Sequence, residues 1–240
     1  MKNIINIQEP IISQNRIDYK YTIEGEWKDA FNEKKLFVEY SCDISNTPKS
    51  IAIIPLICNI LPIAWVYNAE INLESCDLNF FESIENFKKG YIEMYPMMNF
   101  EGNINVKKIE KNEIKEDKGV ISFFSGGVDA FNTLLNHIEE KPTLLTVLGA
   151  DIKLNDETGW NNVLNHVIQT ANEFRLDYIT IKSNFREFLN ENVLNSIAWK
   201  ACKESWWHGF QHGIGIISLV APVSYIMNKK NIYFASTFTI

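Results

Sequence analysis

Residues 119–135 read GVISFFSGGVDAFNTLL. An apolar and aromatic run ends in Ser125, Gly126 and Gly127, and an acid, Asp129, follows at once. The run over 119–124 reads as a buried strand. Val128, Phe131, Leu134, Leu135 and Ile138 then recur at helical spacing, which predicts a helix over 127–138. Two glycines at a strand-to-helix bend strip side chains from the backbone. Successive N–H groups then point outward, and the positive end of the helix dipole adds to them. Such a nest suits a phosphate or pyrophosphate, with the Ser125 hydroxyl as one more donor. Asp129 would repel a bare phosphate; it makes sense if a magnesium ion bridges carboxylate and phosphate oxygens. Neither GxxxxGK(S/T) nor GxGxxG is present, so this is not one of the common nucleotide loops.

Outward from that stretch the pattern repeats. TLLTVL at 143–148 predicts a second strand, DYITIK at 177–182 a third and NIYFAS at 231–236 a fourth. A helix is expected at 160–174, where Trp160, Val163, Val167, Ala171 and Phe174 keep the helical period. Two more are expected at about 186–200 and 207–227, the last kinked or shortened by Pro222. Strand and helix in alternation imply an α/β fold with a doubly wound, Rossmann-like parallel sheet. Ligands of such a sheet bind beyond the carboxyl ends of its strands. Four places qualify: Ser125–Asp129, Gly149–Asp151, Ser183–Arg186 and Ser236–Thr237.

Residues 1–105 read as a small α+β domain that packs against the rest or shapes its substrate site. In LFVEYSCDI, Leu36, Val38, Tyr40 and Cys42 fall on one parity, as in a half-buried strand, and a helix is expected near 82–94. KKIEKNEIKEDK at 107–118 mixes charges of both signs, so 106–118 reads as a charged linker or an edge strand. Residues 119–240 form the ligand-binding domain. No helix follows STFTI, which points to a C-terminal continuation. The uncharged stretch IAIIPLICNILPIAWVY at 51–67 falls short of the roughly 20 residues of a membrane span. It is interrupted by Pro55, Asn59 and Pro62. It reads as a buried helix or strand pair in which Asn59 needs a hydrogen-bond partner.

Hydrophobic residues make up 46% of the chain, enough for a substantial core. The formal charge of -7 leaves no basic stripe for a nucleic-acid backbone, though a local pocket for one small anion is compatible. Cys42, Cys58, Cys76 and Cys202 are scattered and form no CxxC pair, so neither a zinc site nor a redox dithiol is indicated. Free thiols in a reducing cytosol fit that spacing. MKNIINIQEP is no signal peptide, because Gln8, Glu9 and Pro10 interrupt its apolar run. A cytoplasmic protein without a membrane partner is expected, and an oligomer is compatible.

Ser125-Gly126-Gly127-Val128-Asp129-Ala130 resembles the SGGxDS signature of the PP-loop, or N-type ATP pyrophosphatase, superfamily. This HUP-like group includes GMP, NAD and asparagine synthetases, queuosine-precursor synthases and tRNA-thiolating enzymes. The resemblance spans about residues 119–237. It implies that the loop, Val128 included, holds the β- and γ-phosphates of ATP, with Mg²⁺ at Asp129. Adenine would lie against Leu148, Gly149 and Ala150. ATP would be cleaved between its α- and β-phosphates and AMP passed to an oxygen of a small-molecule or peptide acceptor. A nucleophile would then displace AMP. The last Ser of the signature is Ala130 here. That loss of a hydroxyl leaves open a protein of the same fold that binds or senses ATP without turnover. A tRNA-modifying role fits less well with the acidic charge and the lack of paired cysteines.

Other residues carry two readings each. Arg186 either grips a phosphate or acceptor carboxylate in bidentate fashion, or starts a helix on the surface. Ser183, at the same strand end, joins the candidate ligand-binding set. In WWHGFQHG, His208 and His212 share a helical face. They either donate or accept protons near the α-phosphate or acceptor, or pack structurally beside Gly209 and Gly213. Asp151 is a candidate for ribose hydroxyls or magnesium. Asp156 and Glu157 read as loop acids that cap the following helix. His137 and His166 read as structural or solvent-facing.

Overall fold

The computed structural model describes residues 2–235. The first strands are β1 (Ile4–Ile7), β2 (Ile11–Ile12), β3 (Arg16–Asp18), β4 (Tyr21–Glu24) and β5 (Phe37–Tyr40). Helices α1 (Lys49–Ala52) and α2 (Ile54–Val66) lead to β6 (Glu70–Asp77), α3 (Leu78–Met94) and β7 (Asn103–Glu110). Strand and helix then alternate through β8 (Val120–Phe123), α4 (Val128–Asn136), β9 (Thr143–Leu148), α5 (Glu157–Phe174), β10 (Tyr178–Ser183) and α6 (Glu191–Cys202). A π-helical turn at Trp207–Gln211, α7 (His212–Ser218), α8 (Ala221–Met227) and β11 (Asn231–Tyr233) follow.

The fold is mixed α/β. One sheet has the order β4-β1-β6-β7 and the other β11-β8-β9-β10-β5-β3-β2. In the larger sheet β11, β8, β9 and β10 run parallel. β5, β3 and β2 are added antiparallel beyond β10. Helices cover both faces. Leu134, Val167 and Ala171 of α4 and α5 form one apolar cluster with Phe124 and Leu144. Ile121, Phe123 and Leu145, on the opposite parity, belong to the main core together with Ile216 and Val223 of α7 and α8.

The expected separation of residues 1–105 from the sheet does not hold. β5 pairs with β10 so that Tyr40 lies opposite Ile181 and Val38 opposite Ser183. An uncovered β10 would expose a row of unpaired backbone groups, and the N-terminal strands supply that row's partners. The main core likewise joins Ile5 and Ile71 of the smaller sheet to Ile181 of the larger. The charged segment begins as β7, an edge strand, where exposed Lys107 and Lys108 discourage further pairing.

The apolar stretch at 51–67 is helical. Every residue from Ile54 to Trp65 of α2 is buried, as expected of a helix that is apolar all round. Each such aliphatic side chain contributes about 1.5–3 kcal/mol by leaving water. Asn59 finds its partners inside: its Nδ2 donates to Pro55 O at 2.8 Å, and its Oδ1 accepts from Gln211 Nε2 at 2.8 Å.

The single helix expected at 207–227 is three pieces. The chain passes from the π-turn to α7, and Pro222 sits in the first turn of α8, where its missing N–H costs nothing. Tyr91 and Tyr95 hydroxyls donate to the Phe210 and Gly209 carbonyls of the π-turn. Among the described residues this stretch, Trp207–Met227, is the one long and apolar enough to cross a membrane by length and composition, and 56% of its apolar window is buried within the protein.

Candidate functional site

The bend at 125–129 forms as its sequence dictates. Gly126 has φ +81°, a conformation that favours glycine, and Gly127 (φ -78°, ψ 166°) caps α4. The first turn of any helix leaves N–H groups without an intrahelical acceptor. Here that turn faces a cleft of about 380 Å³, lined by Ser125, Gly127, Val128 and Asp129. Ser125, Gly127 and Asp129 are exposed, and Val128 is 85% exposed. Ala130 turns inward and packs in the cluster with Phe124 and Leu134.

The opposite walls come from three other elements. Ala150 and Asp151 follow β9, His212 begins α7, and Phe234 follows β11. His212 is half-buried. Its ring stands edge-on to Trp207 at 4.9 Å and lies 6.0 Å from Phe234. Burial pushes its pKa below the usual value; His208 and Arg186 act in the same direction, against the carboxylate of Asp151. A neutral imidazole both donates and accepts a hydrogen bond, so it can hold or take up a proton in the cleft.

The other expected site residues stand back from the cleft. The Arg186 guanidinium is bound by Glu191, Nε to Oε1 at 2.8 Å and Nη2 to Oε2 at 3.1 Å. Its Nη1 donates to the Ala150 carbonyl at 3.0 Å, and its plane lies 4.2 Å over the Trp207 ring. The bidentate grip foreseen for a ligand is therefore spent on a neighbouring carboxylate, and Arg186 holds the wall rather than lining it. Ser183 is buried; its Oγ donates to Phe37 O at 2.6 Å and accepts from Phe185 N at 3.2 Å, pinning β10 to β5. Leu148 is buried. Gly149, at φ +105°, lies so close to the Ser183 carbonyl that an added Cβ would overlap its oxygen. Of the three residues expected against adenine, only Ala150 reaches the cleft.

His208 is exposed, 3.8 Å from Glu204, and is absent from the cleft wall. His208 lies in the π-turn and His212 begins α7, so the two do not sit on one regular α-helix as expected. Gly209 is needed for packing, since a Cβ there would come 2.8 Å from Cys202 Sγ. Asp156 caps α5, accepting from Gly159 N at 2.8 Å. The strand end at Ser236–Thr237 lies outside the described residues.

Several lining residues escaped the sequence reading. Phe123, Thr146, Val147 and Ile216 shape the cleft's inner wall. The parity of β8 and β9 marks which residues face α7, but not that α7 lies there. His166, read as structural or solvent-facing, is exposed and sits beside the bend: a Cβ on Gly126 would come 3.8 Å from its own Cβ. The four cysteines are free thiols. Among the described residues, no three His, Cys, Asp or Glu side chains gather as a metal cluster. No protein-family model, curated protein or solved structure matches the chain.

Proposed function

We propose that the chain is an adenylating enzyme of the PP-loop, N-type ATP pyrophosphatase kind. It binds ATP, cleaves it between the α- and β-phosphates, transfers AMP to an acceptor oxygen and releases pyrophosphate. The acceptor is a small molecule or peptide. In this reading β11-β8-β9-β10 and their helices form a doubly wound, Rossmann-like sheet. Their chain order is fourth, first, second, third, so the winding reverses beside β8, and ligands of such sheets bind at that reversal. The observation that carries the reading is the Ser125–Asp129 bend at that place, bare of side chains at Gly126 and Gly127, opening α4 into a cleft.

Amides at the start of α4 and the Ser125 hydroxyl would hold the β- and γ-phosphates, with His166 alongside as a further donor. Asp129 would hold Mg²⁺, an ion that takes oxygens from carboxylate, phosphates and water together. Magnesium, when bound, offsets phosphate charge. Asp151 would meet ribose hydroxyls or the same ion, and Ala150 with Val147 would wall the base. His212, neutral and half-buried, would hold or take up a proton at the α-phosphate or acceptor. A cytoplasmic location without nucleic-acid or membrane partners goes with this reading.

Calorimetry with ATP and Mg²⁺ should give saturable heat, and pyrophosphate should appear only when a suitable acceptor is added. No heat with ATP would overturn the reading. One observation favours a second: Ala130, where the signature places a hydroxyl, is 5% exposed in an apolar cluster. Tight ATP binding with no pyrophosphate under any acceptor would establish a protein that holds ATP without turning it over.

A further inference from the structure

A second, larger cavity lies across α7 from the cleft. Its volume is about 980 Å³, at the upper end of the roughly 300–1,000 Å³ of small-molecule sites. His212 and Ile216 face the cleft, whereas Gly213, Ile214 and Ile217 face this groove. Ile232 of β11 lines the groove, and Phe234, just past the end of that strand, lines the cleft.

The floor of the groove is apolar. Ile51, Ile54, Cys58 and Ile214 form a buried cluster of their own, with Phe80 and Tyr225 packed against it. Burial pushes the Cys58 thiol well above its usual pKa, so it packs as a small apolar group. The walls stay partly bare: Phe87 is 43% exposed and Ile217 39%. Large apolar side chains left exposed around a concave apolar floor mark a binding surface.

The lip is cationic. Lys111, Lys115 and Lys230 line the groove with Glu113, which pairs with Lys111 at 2.5 Å. Lys230 also lowers the Glu113 pKa, behind the larger effect of Lys111. Asp77, the other carboxylate there, is buried and committed: it accepts from Phe80 N at 3.0 Å and from Asn112 Nδ2 at 3.1 Å. With three lysines against Glu113 and Asp77, the groove's charged residues are net positive on a chain whose net charge is -7. An apolar trough with a positive lip complements a long hydrocarbon tail that ends in an anion.

We propose that this groove binds a long-chain fatty carboxylate, its tail along the Ile54–Ile214 floor and its head at Lys115 and Lys230. The site is separate from the nucleotide cleft and stands without it. The full chain is titrated with 11-(dansylamino)undecanoic acid by fluorescence, and palmitate is then added as competitor. Binding should saturate, and palmitate should displace the probe. Gly213→Phe should weaken binding roughly tenfold, because a Cβ at Gly213 meets nothing within 4 Å and the ring would occupy the trough. Lys115→Gln with Lys230→Gln, both on the surface and harmless to the fold, should weaken it roughly threefold, less so in high salt. Hexadecyltrimethylammonium, with the opposite head charge, should compete poorly. Failure to saturate, equal binding by both variants, equal competition by the cationic amphiphile, or displacement of the probe by ATP would each overturn the assignment.

Discussion

Strands β8 and β9 are finished in opposite ways at their two ends. At the amino ends Lys229, 9% exposed, reaches in from beyond α8. Its Nζ donates to Thr143 Oγ1 at 2.7 Å and to Val120 O at 3.4 Å. Burial lowers its pKa, while Asp177 and Asp117 oppose that shift. At the carboxyl ends the chain bends through glycine, and Ser125, Gly127 and Asp129 face solvent in a cleft. One end satisfies its buried polar groups from within; the other offers helix-start donors to something from outside. A satisfied buried bond contributes about 1 kcal/mol and a broken one costs more, whereas an exposed nest contributes little until a ligand arrives. On the proposed function, stability and recognition are divided along the same two strands.

The sharpest challenge to that division is Gly149, which lies at the open end but packs like the closed one. Gly149→Ala sets a methyl against the Ser183 carbonyl at φ +105° and should cost roughly 3 kcal/mol or more in urea denaturation. A loss under 1 kcal/mol would show that this bend yields freely and that the open end extends to Gly149. Lys229→Met should cost about 2 kcal/mol by leaving the buried Thr143 hydroxyl and the Val120 carbonyl without this donor, and leave ATP affinity unchanged. Impaired ATP binding in a folded Lys229→Met protein would erase the distinction between the ends.

Asp129→Asn should do the reverse. Mg-ATP affinity should fall roughly tenfold, about 1.4 kcal/mol. Unchanged affinity would take Asp129 out of the metal role. The smallest effect concerns acid. The His212 pKa is lowered in the folded protein, so the unfolded chain binds the proton more readily. Stability from this group is present above its ordinary value of 6.5 and is lost as pH falls through and below it. His212→Asn should flatten that limb of a stability-versus-pH curve; a curve identical to that of the unaltered protein would mean the ring is solvated.

Much of the larger sheet was legible because its signals are local. The runs at 120–123, 143–148 and 178–183 are strands, and the helical spacing after Gly127 becomes α4. The bend itself was legible for the same reason, since two glycines between a strand and a helix leave few backbone options. Arg186 is held by a near neighbour: Glu191, five residues on, takes two of its three guanidinium nitrogens. Nothing near Asn59 announced Gln211, which lies 152 residues away. The alternation in LFVEYSCDI marked a strand with Leu36, Val38 and Tyr40 buried, yet a two-residue period cannot say which strand it joins.

By itself, then, the chain's order of residues determined where backbone bends, where it coils and which parity is apolar, because those preferences act over a few neighbouring peptide units. The tertiary structure alone decided that β5 closes the edge of β10, that α7 stands between a cleft and a groove, and that His212 enters the cleft while His208 stays in water. Each of these is a contact between distant segments, set by which apolar faces can be buried together, and no local periodicity encodes that choice.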